Sequence, residues 1–318
     1  MKERLAWRGV STSSSVEEAD LVILGIPFDG GVCVSICAGR GAASAPDHLR
    51  KLSRIPPPVT EEGKILTGLR RRDEGNVLPH LNWEKYFAEV EQRAYDLITK
   101  DKFCLFIGGD HSVTIPLETA FAKAHADEKI GIIHFDAHPD LADEYDGHRW
   151  CHACTQRRAL ELPNVNPEGL TLVGIRSYEE DELKFLAKCP GIRVISAREI
   201  YRQGLTHTYA TINQRYRDYR SIYLSIDIDV LDPAFAPGTS VPEAGGLSTR
   251  ELMELVKEII THLPVKAVDI VEVSPPLDSA NVTCWAALKV IYEVFGGVAG
   301  RNGRLDGIGS QVARSQYQ

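Results

Sequence analysis

Along this chain, short, mainly apolar runs alternate with longer segments whose apolar residues recur every third or fourth position. The runs fall at residues 21–26, 103–107, 130–135, 170–175, 192–195, 222–226 and 265–271. Several are rich in β-branched residues and lack polar alternation, which predicts parallel strands covered on both faces. Between them, residues 82–100 place Trp83, Phe87, Val90, Ala94, Leu97 and Ile98 at helical spacing, with Asn82 as candidate cap. Further helices are predicted from Ala45-Pro46-Asp47 onward, over 113–124, 179–188, near 208–219, over 249–261 and from 281 to 295. Residues 54–80, rich in proline, arginine and glycine, read as irregular surface chain. The strand–helix alternation meets no linker between about 20 and 295, so the pattern predicts one α/β domain over 1–318. Residues 300–318 read as a flexible tail or an oligomer arm.

Composition narrows the class. The chain has 318 residues, 43% hydrophobic and 25% charged, with a net charge of -8, an ordinary composition for a globular protein. An acidic chain without a basic stripe is not expected to bind nucleic acid. No apolar stretch approaches the ~20 residues of a membrane span, and no signal-peptide core follows Met1. No membrane partner is therefore expected. Seven cysteines, an odd number without an export signal, predict reduced thiols in the cytoplasm.

The chemistry sits where apolar runs end. The run Ile130–Phe135 gives way to Asp136, His138 and Asp140, residues that extended chain turns to one side. A second run ends in Asp227 and Asp229, and a third passes through Gly108-Gly109-Asp110 to present His111. In open α/β sheets, ligands gather beyond the carboxyl ends of the strands. Carboxylates this crowded cannot all ionise unaided, whereas two divalent cations would balance four of them. Six ligands, His111, Asp136, His138, Asp140, Asp227 and Asp229, thus predict a dinuclear metal centre. An oxygen-rich, two-histidine set favours a moderately hard ion such as manganese, with nickel, iron, cobalt or zinc as alternatives. Two cations sharing a carboxylate lower the pKa of a water held between them.

These residues resemble the motifs of the ureohydrolase family, the arginase and agmatinase group. Its signatures are matched by Gly108-Gly109-Asp110-His111-Ser112, by Asp136-Ala137-His138-Pro139-Asp140 and by Ser225-Ile226-Asp227-Ile228-Asp229-Val230-Leu231-Asp232-Pro233. Ala236-Pro237-Gly238, Gly245-Gly246-Leu247-Ser248 and Asp269-Ile270-Val271-Glu272-Val273-Ser274-Pro275-Pro276 extend the likeness, which covers the chain from Leu21 to Val294. The resemblance implies a three-layer α/β/α fold with a mostly parallel central sheet, two manganese ions, and hydrolysis of a guanidinium group to urea plus an amine. It implies that His111, Asp136, Asp140 and Asp227 hold one ion and that Asp136, His138, Asp227 and Asp229 hold the other. Asp136 and Asp227 would bridge, and Asp140 would lie close to the nucleophile. Glu272 matches the family's glutamate beside the guanidinium, a planar forked cation that a carboxylate can orient. His152 resembles the proton shuttle to the leaving amine, work that suits an imidazole. A homo-oligomer, trimer or hexamer, is implied as well.

The chain also departs from the family pattern. His152 stands in Cys151-His152-Ala153-Cys154 rather than between serine and a small residue. That context admits a disulfide, or a zinc site completed by Cys33 and Cys37. Residues 141–150 replace the arginase element that reads an α-amino acid and look agmatinase-like; Asp143, Glu144 and Asp146 would suit a second positive charge. Gly238-Thr239-Ser240-Val241-Pro242 and Asp73-Glu74-Gly75-Asn76 differ from the commoner forms and are expected at the pocket rim. Agmatine is thus the expected substrate. Guanidinobutyrate, guanidinopropionate, arginine and formiminoglutamate remain as alternatives, beside a non-catalytic regulatory relative.

Overall fold

The structure, a computed structural model, describes residues 6–8, 15–31 and 40–305. Eight strands form one sheet: β1 (Leu21–Gly25), β2 (Arg71–Asn76), β3 (Phe103–Ile107), β4 (Gly131–Phe135), β5 (Leu170–Ile175), β6 (Arg193–Ser196), β7 (Ile222–Asp227) and β8 (Val265–Val271). Their spatial order is β2-β1-β3-β8-β7-β4-β5-β6, and every pairing is parallel. The helices are α1 (Ala45–Leu52), α2 (Trp83–Ile98), α3 (Thr114–Ala124), α4 (Thr155–Ala159), α5 (Glu180–Lys188), α6 (Ala197–Tyr216), α7 (Thr249–His262) and α8 (Val282–Arg301).

Strand side chains alternate between two apolar layers, as a sheet buried on both faces requires. Leu21, Ile23, Leu105 and Ile107 pack into one layer with α1, α6, α7 and α8, whereas Val22, Leu24, Cys104 and Phe106 enter the other with α2 and α3. The expected three-layer α/β/α arrangement is what forms. Asn82 caps α2 as expected, its side chain accepting the Lys85 N–H at 2.8 Å.

Three expectations need correction. Within 54–80 lies a strand, β2, at one edge of the sheet. Its residues are nearly all polar, yet Arg71 and Asp73 are buried. Asp73 takes a two-pronged ion pair from fully buried Arg50, Nε and Nη2 each at 2.8 Å, so charges occupy core positions that periodicity reads as surface. The helix expected near 208–219 is the second half of α6, which begins at Ala197 and bends at Gly204 (φ 80°). Finally, α8 continues past 295 to Arg301, and the stretch Ser279–Arg301 is long and apolar enough to cross a membrane. In its most apolar window 78% of the residues are buried, and the helix packs on α7 and α1 as a core element apolar all round. The proposed tail or arm is described only as far as residue 305.

Replacing Arg50 by Met strands the Asp73 carboxylate in the core. Loss of one partner of a buried pair costs about 3–5 kcal/mol, so urea unfolding of Arg50→Met is expected to shift by that amount. A loss below about 1 kcal/mol, the worth of an exposed pair, would contradict the burial argument.

Candidate metal centre and cavity

The four central strands of the sheet, β3, β8, β7 and β4, end side by side, and each delivers part of one cluster. His111 follows β3, Glu272 follows β8, Asp227 and Asp229 close β7, and Asp136, His138 and Asp140 follow β4. His111 Nδ1 lies 3.1 Å from Asp136 Oδ2, 3.1 Å from Asp140 Oδ2 and 3.0 Å from Asp227 Oδ2. His138 Nδ1 lies 3.3 Å from Asp136 Oδ1 and 3.1 Å from Asp229 Oδ2. All six expected ligands thus converge, five of them buried and His138 partly so. Asp136 faces both histidines with different oxygens, the arrangement a bridging carboxylate needs. Asp227 offers Oδ2 to the His111 side, while its Oδ1 accepts the Asp229 N–H at 2.8 Å.

Cations fit this cluster on its own geometry. His111 Nδ1 and Asp136 Oδ2 are buried and make no hydrogen bond, an expensive condition unless something else satisfies them. Burial pushes Asp140 and Asp227 well above the ordinary carboxylate range, and the nearby Asp136 charge adds to the shift. A positive ion would relieve both strains at once.

Hydrogen bonding fixes which nitrogen of His111 faces the carboxylates. Asp269, wholly buried, accepts Tyr223 Oη and Thr114 Oγ1 on Oδ2 and Ser225 Oγ on Oδ1, each at 2.8 Å. Ser225 has therefore used its only proton, and at 2.9 Å it must accept from His111 Nε2. That leaves the Nδ1 lone pair free for a cation, the relay by which ligating histidines are usually held. Backbone conformation is equally constrained. Asp140 (φ 53°) and Glu272 (φ 60°) are non-glycine residues in the left-handed region, a strain typical of sites the fold over-determines. Gly109 accepts the Glu272 N–H at 2.8 Å, and a Cβ there would fall 1.6 Å from the Phe28 carbonyl oxygen.

A cavity of about 140 Å³ opens beside the cluster. Glu272 and His152 both line it. The Glu272 carboxylate is itself held, Oε1 by the His111 N–H at 2.8 Å and Oε2 by the Ser240 hydroxyl at 2.5 Å. Burial pushes Glu272 up to about 7. Burial also lowers the pKa of His152, which keeps its ring neutral in preference to charged.

Sequence reading overlooked two residues here, His134 and Glu182. His134 stacks on His111, centroids 4.9 Å apart, and its Nε2 lies 3.0 Å from Asp136 Oδ2. The alternation His134, Asp136, His138, Asp140 could have shown it, but an apolar run absorbed it. Glu182 lines the cavity while accepting the Leu141 and Glu179 N–H groups at 2.9 Å each; its only signal was a helix-capping pattern. Ser240 stood in a segment noted for departing from the family form and does reach the pocket. Asp73 and Asn76 do not: they bind Arg50 on the edge strand. Asp143 pairs with Arg149 and Arg158, so its charge is spent at the surface.

The arginase family model matches residues 19–296, and the chain belongs to the arginase family of hydrolases. It is 34% identical to an agmatinase of Bacillus subtilis over 88% of this chain and 92% of the relative. It is 30% identical to a guanidinobutyrase of Pseudomonas aeruginosa, over 90% and 88%. Among solved structures, formimidoylglutamase of Bacillus subtilis superposes with a TM-score of 0.84 at 26% identity, covering 93% of each chain.

Ser225→Ala and Asp269→Asn each break the His111 relay without touching the cluster directly. Divalent-cation affinity, measured by chelator competition, is expected to fall about 10–100-fold. Unchanged affinity in both variants would remove the relay from the account.

Proposed function

We propose that the protein hydrolyses a guanidino compound bearing a second positive charge, agmatine foremost, to urea and the amine putrescine. One observation carries this reading: the cavity beside the metal cluster is lined by further acidic residues. Among its described lining residues the cavity has Glu179, Glu182 and Glu272 but neither lysine nor arginine. A guanidino acid would need a cation there for its carboxylate, whereas a cationic amine would find carboxylates at both ends. The guanidinobutyrase and formimidoylglutamase relatives keep guanidino acids and formiminoglutamate as the rival substrates.

Bound together, two divalent cations, manganese in the first instance, would supply an activated water at neutral pH and polarise the reacting centre. The residues to hold them are His111, Asp136, His138, Asp140, Asp227 and Asp229. Glu272, pinned by Ser240 and the His111 N–H, offers its remaining lone pairs to the guanidinium fork. Thr155 Oγ1 donates to Asp140 Oδ2 at 3.0 Å and fixes that carboxylate at the reacting side. His152 carries a proton to the nitrogen of the departing amine. A cytoplasmic setting and a homo-oligomer, trimer or hexamer, belong to the same proposal; light scattering reads the assembly.

Urea release across agmatine, arginine, guanidinobutyrate, guanidinopropionate and formiminoglutamate tests the substrate. kcat/KM is expected to be highest for agmatine, and a guanidino acid in first place would overturn that choice. Asp227→Asn is expected to lose bound metal and activity together. Ser240→Ala should raise KM for the guanidine about tenfold, the worth of a hydrogen bond to a charged group, with kcat little changed. Equal losses in kcat and kcat/KM would instead mean that Ser240 acts only in the transition state.

A further inference from the structure

We propose that Cys151 and Cys154 are a redox pair whose disulfide displaces His152 and lowers turnover. The two Sγ atoms lie 3.3 Å apart, touching but unbonded. Cys151 is nearly and Cys154 wholly buried. They flank His152 in one tight turn, in which the Cys154 N–H donates to the Cys151 carbonyl at 3.1 Å. The described thiols Cys104 and Cys284 sit elsewhere, inside β3 and α8. The zinc reading would need Cys33 and Cys37, which lie outside the described residues.

A disulfide holds its sulfurs about 2.05 Å apart with a torsion near a right angle, so bond formation draws the two sulfurs together by roughly 1 Å and pulls on the turn that carries them. The turn rests on a small apolar cluster of its own, Ala142, Cys151 and Cys154 with Tyr145 and Ala153, apart from the two layers flanking the sheet. A satellite of this kind can shift while the sheet stays put. Ala142, Tyr145, His152 and Ala153 also form part of the cavity wall. Movement of the turn therefore arrives where the substrate would sit.

The chemistry balances with a peroxide as oxidant. One sulfur attacks a peroxide oxygen, breaking the O–O bond to give a sulfenic acid and water. The second sulfur then displaces the sulfenic oxygen, which leaves as another water, and the S–S bond forms as both thiols lose hydrogen. A reducing dithiol returns both hydrogens. Contact with Cys154 and burial together push the Cys151 thiol far up. Thiolate is scarce at neutral pH, so the oxidation is slow there and quickens in alkaline solution.

Trypsin releases both cysteines in one peptide, residues 150–157. The metal-loaded protein is treated with hydrogen peroxide, denatured, alkylated and digested. The expected peptide is two hydrogens lighter and unalkylated, and prior dithiothreitol restores two alkyl groups. Urea release, which rests on the guanidine-hydrolysis reading, should fall about a hundredfold, the cost of a misplaced proton carrier, and recover on reduction. Cys154→Ser should release urea at one rate with or without peroxide; if that variant fails to fold, wild-type peptide mass still decides. Two alkyl groups on the peptide after peroxide, in a tube where added glutathione is fully oxidised, overturn the pair. A disulfide that leaves turnover unchanged overturns the control of His152. Wild-type protein releasing no urea before oxidation overturns the guanidine reading instead, and the redox pair is then decided by peptide mass and the oxidation-dependent NMR shift of the His152 ring.

Discussion

Four carboxylates and two imidazoles meet at the ends of the central strands, their nearest nitrogens and oxygens 3.0–3.3 Å apart. Held at contact distances in a buried setting, such charges repel strongly unless cations lie among them. The protein spends much of its architecture on keeping them together. Parallel strands aim their carboxyl ends at one point, and crossovers on both faces close the sheet around it. Left-handed backbone at Asp140 and Glu272 and a glycine at 109 complete the approach.

Around that cluster the polar groups form an ordered hierarchy. Asp269 is saturated by Tyr223, Thr114 and Ser225, and its saturation decides the direction of the Ser225 hydroxyl. Ser225 in turn decides which His111 nitrogen faces the carboxylates. Glu272 is steadied in the same manner from two sides. Each group is placed by a donor or acceptor that has no other option, so the site is preorganised before any ligand arrives. His152, which lines the same cavity, stands on a short turn between two thiols.

Much of this was legible along the chain. Seven of the eight strands announced themselves as apolar runs, because both of their faces are covered. The six ligands stood out because aspartate and histidine at the end of a buried run have no packing reason to be there. β2 was invisible since its core positions are filled by Arg71 and Asp73, and a buried ion pair leaves no hydrophobic trace. His134 was hidden in the reverse way, a polar residue counted as part of an apolar stretch. Glu182 went unnoticed inside the helix predicted over 179–188, because an acidic residue in a first helical turn is ordinary there.

Local pattern alone therefore determined the strand–helix alternation, the parallel sheet and which six residues gather at the strand ends, since these depend on spacing and on residue type. Only the tertiary structure decided that Glu179 and Glu182 line the pocket, that Asp143 is neutralised by Arg149 and Arg158, and that Ser240 reaches Glu272. Those contacts join residues 6, 15 and 32 positions apart, at spacings no periodicity marks, and a charge has meaning for a ligand only once its partners are known. Residue type states what a side chain can do; folding settles what remains unused for it to do.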